Sequence, residues 1–328
     1  MQPPTALWCR TLSTDFSGVE HGPVAAVGEP GPGEVRIKVL AAALNFPDLL
    51  MTRGLYQHKP AAPFVLGMEG CGVVEAQGAG SATDLRGQRI CFRVRHGAFA
   101  TQLLLPVDAL SPAPAGLDDC QAAASSVTAL TAWVSLVRMA ELCAGEWILV
   151  HGANGGVGIA AVQLAVHLGA RVIATATSAG KLALARSAGA QGVVLQPGWP
   201  AEVAALTGAQ GVQVCVDPVG GALFEASLRC MGWGGRVLAV GFASGDIPRV
   251  ALQQILLKGL RVIGVRAGEW SRRNPEAALA DQRSLNSLLA KGVLLPPLAA
   301  SYALRDGVQA LQAMAARQLM GKLCLVMP

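Results

Sequence analysis

The sequence predicts an α/β protein of two domains, one compact and β-rich, the other built on a doubly wound parallel sheet. Three observations carry this expectation. The chain has 328 residues, more than one typical compact core accommodates, so two domains of roughly 150 residues are expected, with a cleft between them. The first third holds short apolar alternations punctuated by Gly, Ser and Asp, with little helical pattern. From about Leu117 the texture turns to Ala-rich helix and then to strands and helices in alternation.

In EVRIKVL, from Glu34, the apolar Val35, Ile37 and Val39 alternate with Arg36 and Lys38, as in a strand with one buried face. A short helix is expected at Pro47, where a missing N–H costs nothing. GCGVVEAQG, GQRICFRV and FATQLLLP read as further strands. After the helical DDCQAAASSVTALTAWVSLVRMAEL, strands are expected at Trp147–Val150, Arg171–Ala176, Val193–Leu195, Val212–Val216, Arg236–Val240 and Arg261–Val265. Helical segments separate most of them, which implies a parallel sheet covered on both faces. The tail reads as a polar helix (Glu276–Leu289), a Pro296-Pro297 turn, another helix and a last strand (Lys322–Val326), returning to complete the first domain. This assigns 1–119 and 259–328 to the β-rich domain and 120–258 to the parallel-sheet domain.

Composition narrows the functional classes. Hydrophobic residues make up 52 % of the chain, yet polar residues or Gly interrupt every apolar stretch before the ~20 residues of a membrane span. The start, MQPPTALWCRTLSTDF, carries no targeting pattern, so a cytoplasmic location and no membrane partner are expected. The eight cysteines form no CxxC pair, which argues against a redox dithiol or a four-thiolate zinc site and for buried, reduced thiols. The net charge of +5 is dispersed and only 5 % of residues are aromatic, so nucleic acid is not expected as main partner.

The strand WILV runs into His151-Gly152-Ala153-Asn154-Gly155-Gly156-Val157-Gly158 and then into a helix. At such a turn Gly152 permits a sharp bend, Asn154, Gly155, Gly156 and Val157 bring backbone N–H groups to a pyrophosphate, and Gly158 allows close helix–strand packing. His151, placed where a base could stand, is expected as a strand-end packing residue with one backbone hydrogen bond. The second strand, RVIATATSAGK, ends without an acid. A carboxylate there binds the ribose 2′-hydroxyl of NAD and repels a 2′-phosphate; Thr177, Ser178 and Lys181 offer hydroxyls and a cation instead, which points to NADPH. The alternative reading of these three is a solvated loop with a helix-starting Ser.

Together with AALNFPDLLMTRGLY, PFVLGMEGCGVVEAQG, GAFATQLLLP, ALTAWVSL, GVQVCVDPVGG, GGRVLAVGFASG and GKLCLV, these features resemble the zinc-independent quinone oxidoreductase (zeta-crystallin-like) branch of the medium-chain dehydrogenases/reductases, which is related to enoyl reductase domains. The resemblance covers nearly the whole chain. It implies a GroES-like catalytic domain from both chain ends, a central Rossmann domain and a homodimer. It also implies chemistry without a metal, because zinc-dependent relatives have Cys where Asn45 stands and His where Met68 stands, besides a four-Cys lobe. Residues carried over to the cofactor and reacting centre are Asn45 and Asp48, Thr131, Asp217, Gly241, Phe242, Ser244 and Lys322. Each of Asn45, Thr131 and Asp217 also has a plain reading, as helix cap, buried helix hydroxyl and strand-end turn acid. NADPH-using relatives place a Tyr where Gln196 stands here.

Hydride transfer needs alignment and charge stabilisation rather than a triad, but an enone also needs a proton donor. Tyr56, after the NFPD helix, is the expected phenol, with a wall of the substrate site as its other reading. His58 and Lys59 are read as a solvated loop, with guidance of an anionic acceptor or proton donation as their other reading, His96 as structural, and Arg266 and Trp270 as acceptor-pocket residues, Trp270 equally as an interface residue. The expected activity is NADPH-dependent reduction of a quinone or other α,β-unsaturated carbonyl compound, with an enoyl-thioester reductase or a noncatalytic NADPH-binding protein as alternatives.

Overall fold

The computed structural model describes residues 3–80 and 83–328. The chain forms two compact units, Met1–Val127 with Pro296–Pro328, and Thr128–Leu295.

The first unit begins with β1 (Thr5–Cys9), β2 (Val19–Pro23), β3 (Glu34–Ala43), α1 (Phe46–Thr52), β4 (Phe64–Val65), β5 (Glu69–Gln77), β6 (Arg89–Arg93), β7 (Gln102–Pro106) and β8 (Leu110–Pro112), and leads into α2 (Asp119–Trp133). β2, β1 and β4 form a small sheet. β3 organises the larger one: β5 runs antiparallel along one edge, and β7 pairs with Glu34–Lys38 on the other. Val35, Ile37 and Val39 are buried and Lys38 is exposed, as the alternation predicts.

In the second unit β9 (Trp147–Val150), α3 (Gly156–His167), β10 (Arg171–Ala176), α4 (Ala183–Ser187), β11 (Gln191–Val194), α5 (Trp199–Leu206), β12 (Val212–Asp217), α6 (Gly221–Cys230), β13 (Met231–Ala239), α7 (Leu252–Lys258), β14 (Arg261–Gly264), α8 (Ala267–Arg273) and α9 (Pro275–Ala290) follow one another. The strands are parallel, in the order β11-β10-β9-β12-β13-β14. Every residue of β9 is buried, because helices cover both faces of a parallel sheet. The strand order reverses between β9 and β12, so their carboxyl ends form the switch point where such sheets bind ligands. The chain then enters β15 (Leu298–Ala303), α10 (Gly307–Ala315) and β16 (Lys322–Val326), and β16 pairs antiparallel with Ala41–Ala43 of β3, so the tail completes the first unit.

Three details depart from the sequence reading. The return to the first unit comes at Pro296 rather than 259, because β14 pairs with β13 and Asp281 of α9 binds Arg138 of the second unit. The other junction lies at Thr128, inside α2, rather than at 120. The continuous helix Asp119–Met139 is long and apolar enough to cross a membrane, contrary to the expectation for every apolar stretch; its Ser and Thr residues interrupt the pattern without lowering its mean hydropathy enough. Its apolar window is 67 % buried within the protein, the condition of a core helix.

Candidate cofactor and reaction sites

At the switch point the glycine turn is stitched to both neighbouring strands. The His151 N–H donates to the Val216 carbonyl of β12 (3.0 Å) and the Ala153 N–H to the Thr175 carbonyl of β10 (3.3 Å). A Cβ on Gly158 would lie 2.2 Å from the Gly152 carbonyl oxygen, so only glycine lets α3 start this close to the turn. Gly155 caps α3, whose first bond of the regular i→i−4 pattern from this turn runs from the Ile159 N–H to the Gly155 carbonyl. The N–H groups of Gly156, Val157 and Gly158 therefore have no carbonyl one turn back, and the helix end presents them with partial positive charge. Asn154, Gly155, Gly156 and Val157 are half-buried.

At the end of β10, Thr177 and Ser178 are exposed and Lys181 is half-buried. Ser178 Oγ accepts the Lys181 N–H at 3.4 Å, so the helix-starting role and the anion-facing composition coexist. Gln196 is exposed, and its amide donates to Glu202 Oε1 (3.3 Å).

Asp217 ends β12 and is wholly buried. Its Oδ1 accepts the N–H groups of Val219 (2.6 Å) and Gly220 (3.0 Å), while Oδ2 has no hydrogen-bond partner. Burial pushes its carboxyl above the ordinary value, against the lowering effect of the two N–H donors. The following turn is bonded to the loop after β13: Ala243 N–H to Pro218 O (3.0 Å) and Ser244 N–H to Val219 O (2.8 Å). Ser244 Oγ is turned to the Asp246 backbone, and Phe242 is 39 % exposed. Gly152 also lies against Pro218 and Val219. Thus Asn154–Gly158, Asp217, Gly241, Phe242 and Ser244 gather at one end of the sheet. Thr131 is half-buried on α2, and its carbonyl accepts the Ser135 hydroxyl (2.7 Å) where the helix passes into a π-helical turn, Val134–Met139.

The first unit holds a closed cluster of charged groups. Lys322 Nζ donates to Leu44 O (2.7 Å), Asn45 Oδ1 (2.7 Å) and Glu69 Oε1 (2.9 Å), which engages all three of its hydrogens. Asn45 Nδ2 donates to Glu69 Oε1 (2.9 Å) and Ala43 O (3.2 Å), and Glu69 Oε2 accepts the Val127 N–H (2.7 Å). The Asp48 carboxylate accepts the N–H groups of Asn45 (2.7 Å) and Gly67 (3.2 Å). Burial pushes Asp48 up to about 7, while those N–H donors and the Lys322 charge pull it down. Asn45 is the N-cap residue of α1, where Asp48 closes the cap by accepting the Asn45 N–H. Asn45, Asp48 and Lys322, expected at the reacting centre or cofactor, are therefore brought together, with their polar atoms turned inward. Glu69 was missed; its signal was a single acid inside the apolar PFVLGMEGCGVV.

Tyr56 is half-buried and packs against the first unit's core, as do Phe46 and Met68. His58 Nε2 lies 3.0 Å from His96 Nδ1, and burial, then the neighbouring His58, lowers His96. In the second unit, Arg138 holds Asp281 through Nη2 (2.6 Å) and lies 5.3 Å from the Trp270 ring centroid. His151 departs from its expected role: its ring binds two hydroxyls, Thr175 Oγ1 and Ser227 Oγ, each at 2.6 Å. Six of the eight cysteines are buried and all are free thiols. Among the described residues, no group of three or more His, Cys, Asp or Glu is arranged to hold a metal ion.

Residues 156–282 match the family described as zinc-binding dehydrogenase, and residues 31–115 the alcohol dehydrogenase GroES-like domain. A quinone oxidoreductase of Pseudomonas aeruginosa is 35 % identical over 302 residues, covering 91 % of this chain and 92 % of that protein. A mycocerosic acid synthase-like polyketide synthase of Mycobacterium tuberculosis is 32 % identical over 91 % of this chain, which spans only 14 % of that protein. A mycobacterial protein solved in complex with NADPH is 30 % identical, with a TM-score of 0.88 and coverage of 98 % of this chain and 99 % of the other. With both domains matched in order on a six-stranded sheet of this topology, the chain is an oxidoreductase belonging to the medium-chain dehydrogenase/reductase family, in its quinone oxidoreductase branch.

Proposed function

We propose that this protein uses NADPH, without a metal, to reduce quinones or other α,β-unsaturated carbonyl compounds in the cytoplasm. The observation that carries this reading is the glycine turn at the switch point, followed by a second strand that ends in Thr177, Ser178 and Lys181 with no acid. A dinucleotide fits what is there: three helix-end N–H groups without carbonyl partners, and the buried Asp217 Oδ2 awaiting a partner. The NADPH complex of a 30 % identical relative supports the same cofactor. When bound, NADPH supplies the hydride; the chain contributes binding, alignment and protons.

The metal-free reading is supported by Lys322, whose ammonium fills the space among Leu44 O, Asn45 Oδ1 and Glu69 Oε1. Both Nδ2 hydrogens of Asn45 are engaged, by Ala43 O and Glu69 Oε1, so its amide holds the Lys322–Glu69 cluster rather than donating to an acceptor. That leaves Tyr56 as the assigned proton donor to the α-carbon or enolate. A homodimer is supported by α7, an apolar helix with no buried residue, next to the edge strand β14. The match to a polyketide synthase segment favours an enoyl thioester as the second acceptor class.

The test is steady-state NADPH oxidation with 1,4-benzoquinone, 9,10-phenanthrenequinone, 2-alkenals and crotonyl thioester, with metal analysis of the active protein. Turnover with quinones or alkenals and no stoichiometric zinc is expected; NADPH binding without any turnover sinks the enzymatic reading. Lys181→Ala is expected to weaken NADPH by about 1–2 kcal/mol and leave NADH nearly unchanged. Tyr56→Phe is expected to slow alkenal reduction on the order of 100-fold while quinones, which take protons from water, change little. Equal losses on both acceptors would remove Tyr56 from that role.

A further inference from the structure

His151 precedes the glycine turn, is wholly buried, and touches elements that the turn itself does not reach. Its proton can be assigned by counting donors. The Ser227 hydroxyl has one hydrogen, and that hydrogen goes to the Leu223 carbonyl (2.7 Å), so at the 2.6 Å contact the imidazole Nε2–H donates to Ser227 Oγ. A neutral imidazole then has a lone pair on Nδ1, which accepts the Thr175 hydroxyl at 2.6 Å. Burial holds the ring neutral, with its pKa down at about 3. Trp199 of α5 closes the site edge-on, 5.7 Å between ring centroids.

Thr175 is thus bound twice by the turn: its hydroxyl by His151 and its carbonyl by the Ala153 N–H (3.3 Å). Two and three residues further, just past the end of β10, come Thr177 and Ser178. The β9–β10 ladder sets the strands side by side up to Ala174, and beyond it the Ala153 N–H bond and the imidazole–hydroxyl bond tie the N–H groups that would meet the pyrophosphate to the segment that would meet the 2′-phosphate.

We propose that His151 is a positioning residue that sets the end of β10 against the glycine turn, and through it the affinity and selectivity for a cofactor carrying a 2′-phosphate. This rests on the NADPH reading above. The two ring nitrogens can be tested separately. In His151→Asn the amide oxygen stands near Nδ1 and keeps an acceptor for Thr175; in His151→Gln the longer amide keeps a donor toward Ser227 but loses Thr175; His151→Leu loses both. His151→Asn is expected to keep KM for NADPH within about threefold of wild type. His151→Gln and His151→Leu should raise it about tenfold, the equivalent of about 1.4 kcal/mol, with kcat at saturating NADPH little changed and the preference over NADH narrowed. Thr175→Val, nearly isosteric, cuts the same bond from its other end and is expected to match His151→Gln; it serves where a His151 variant does not fold. Ser227→Ala should leave KM near wild type. Asn and Gln variants with equal KM, or a Thr175→Val with wild-type KM, would overturn the proposal and leave His151 a packing residue. Wild-type protein that fails to bind NADPH overturns the cofactor reading instead, and it is measured first.

Discussion

Asp48 illustrates how burial reverses what a sequence position suggests. In a loop beside Asn45 it reads as a candidate for the reacting centre; in the fold it is wholly enclosed, accepting two backbone N–H groups, with its pKa raised from 3.8 to about 7. A carboxyl whose folded pKa lies above its unfolded value binds more protons when folded. Its contribution to stability is complete below pH 3.8 and falls away as pH rises toward about 7. Over that window the loss amounts to a few kcal/mol at most. Asp48→Asn cannot ionise, but its Nδ2 faces an N–H where an oxygen stood, a fixed cost of about 1–3 kcal/mol. Melting curves from pH 4 to 8 are therefore expected to show a lower Tm for the variant at acid pH and a gap that narrows as pH rises; parallel curves would mean Asp48 does not titrate there. Spacing in the sequence brought Asn45 and Asp48 together but could not give the direction of the amide. Lys322 and Glu69, which set that direction, lie 277 and 24 residues away in sequence.

Elements whose pattern is dictated by burial on both faces were the most legible. β9, β10 and β12 fall where the apolar runs place them, since a parallel strand under helices is apolar on both faces and admits few polar positions to blur the signal. β14 and α9 were misassigned for the opposite reason. β14 is an exposed edge, and α9 is anchored by the Arg138–Asp281 pair, 143 residues apart, which no local pattern reveals. The glycine turn separates glycines that need their lack of Cβ from those that tolerate one. At Gly158 a Cβ would meet the Gly152 carbonyl oxygen at 2.2 Å, a backbone atom that cannot move aside. At Gly155 the nearest atom is 3.4 Å away, and its φ of −93° suits any residue. Gly158→Ala is therefore expected to cost about 1–3 kcal/mol in stability and to weaken NADPH binding. Gly155→Ala should keep its Tm within about a degree or two, the scale of a few tenths of a kcal/mol in a protein of this size. Equal Tm values for the two would contradict the contact between α3 and the turn.

At the scale of the whole molecule, the second unit's sheet ends in an edge that this chain leaves uncovered. β14 has one neighbour, β13, and Val262 on it is 47 % exposed. On α7, which packs against β13, Leu252 (82 %), Leu256 (77 %) and Leu257 (67 %) stand in solvent, as does Trp233 (81 %) of β13. A strand edge with open backbone groups and apolar neighbours is a template for pairing, and proteins that remain monomeric blunt it with charge or cover it. Here Lys258 of α7 is turned inward onto the carbonyls of Leu228, Arg229 and Met231, which leaves the exposed Arg261 as the one charge on the edge strand itself. A second copy related by a two-fold axis presents the same edge and the same leucines, so one self-complementary contact covers both. The protein is therefore expected to sediment as a dimer at micromolar concentration. Val262→Lys combined with Leu256→Lys should shift it to monomer, because two like-charged edges would face each other across the axis. Since neither residue belongs to the glycine turn or to the 177–181 segment, NADPH affinity per chain should be retained in the monomer. A wild-type protein that sediments as a monomer, or a double variant that remains a dimer, would place the contact elsewhere.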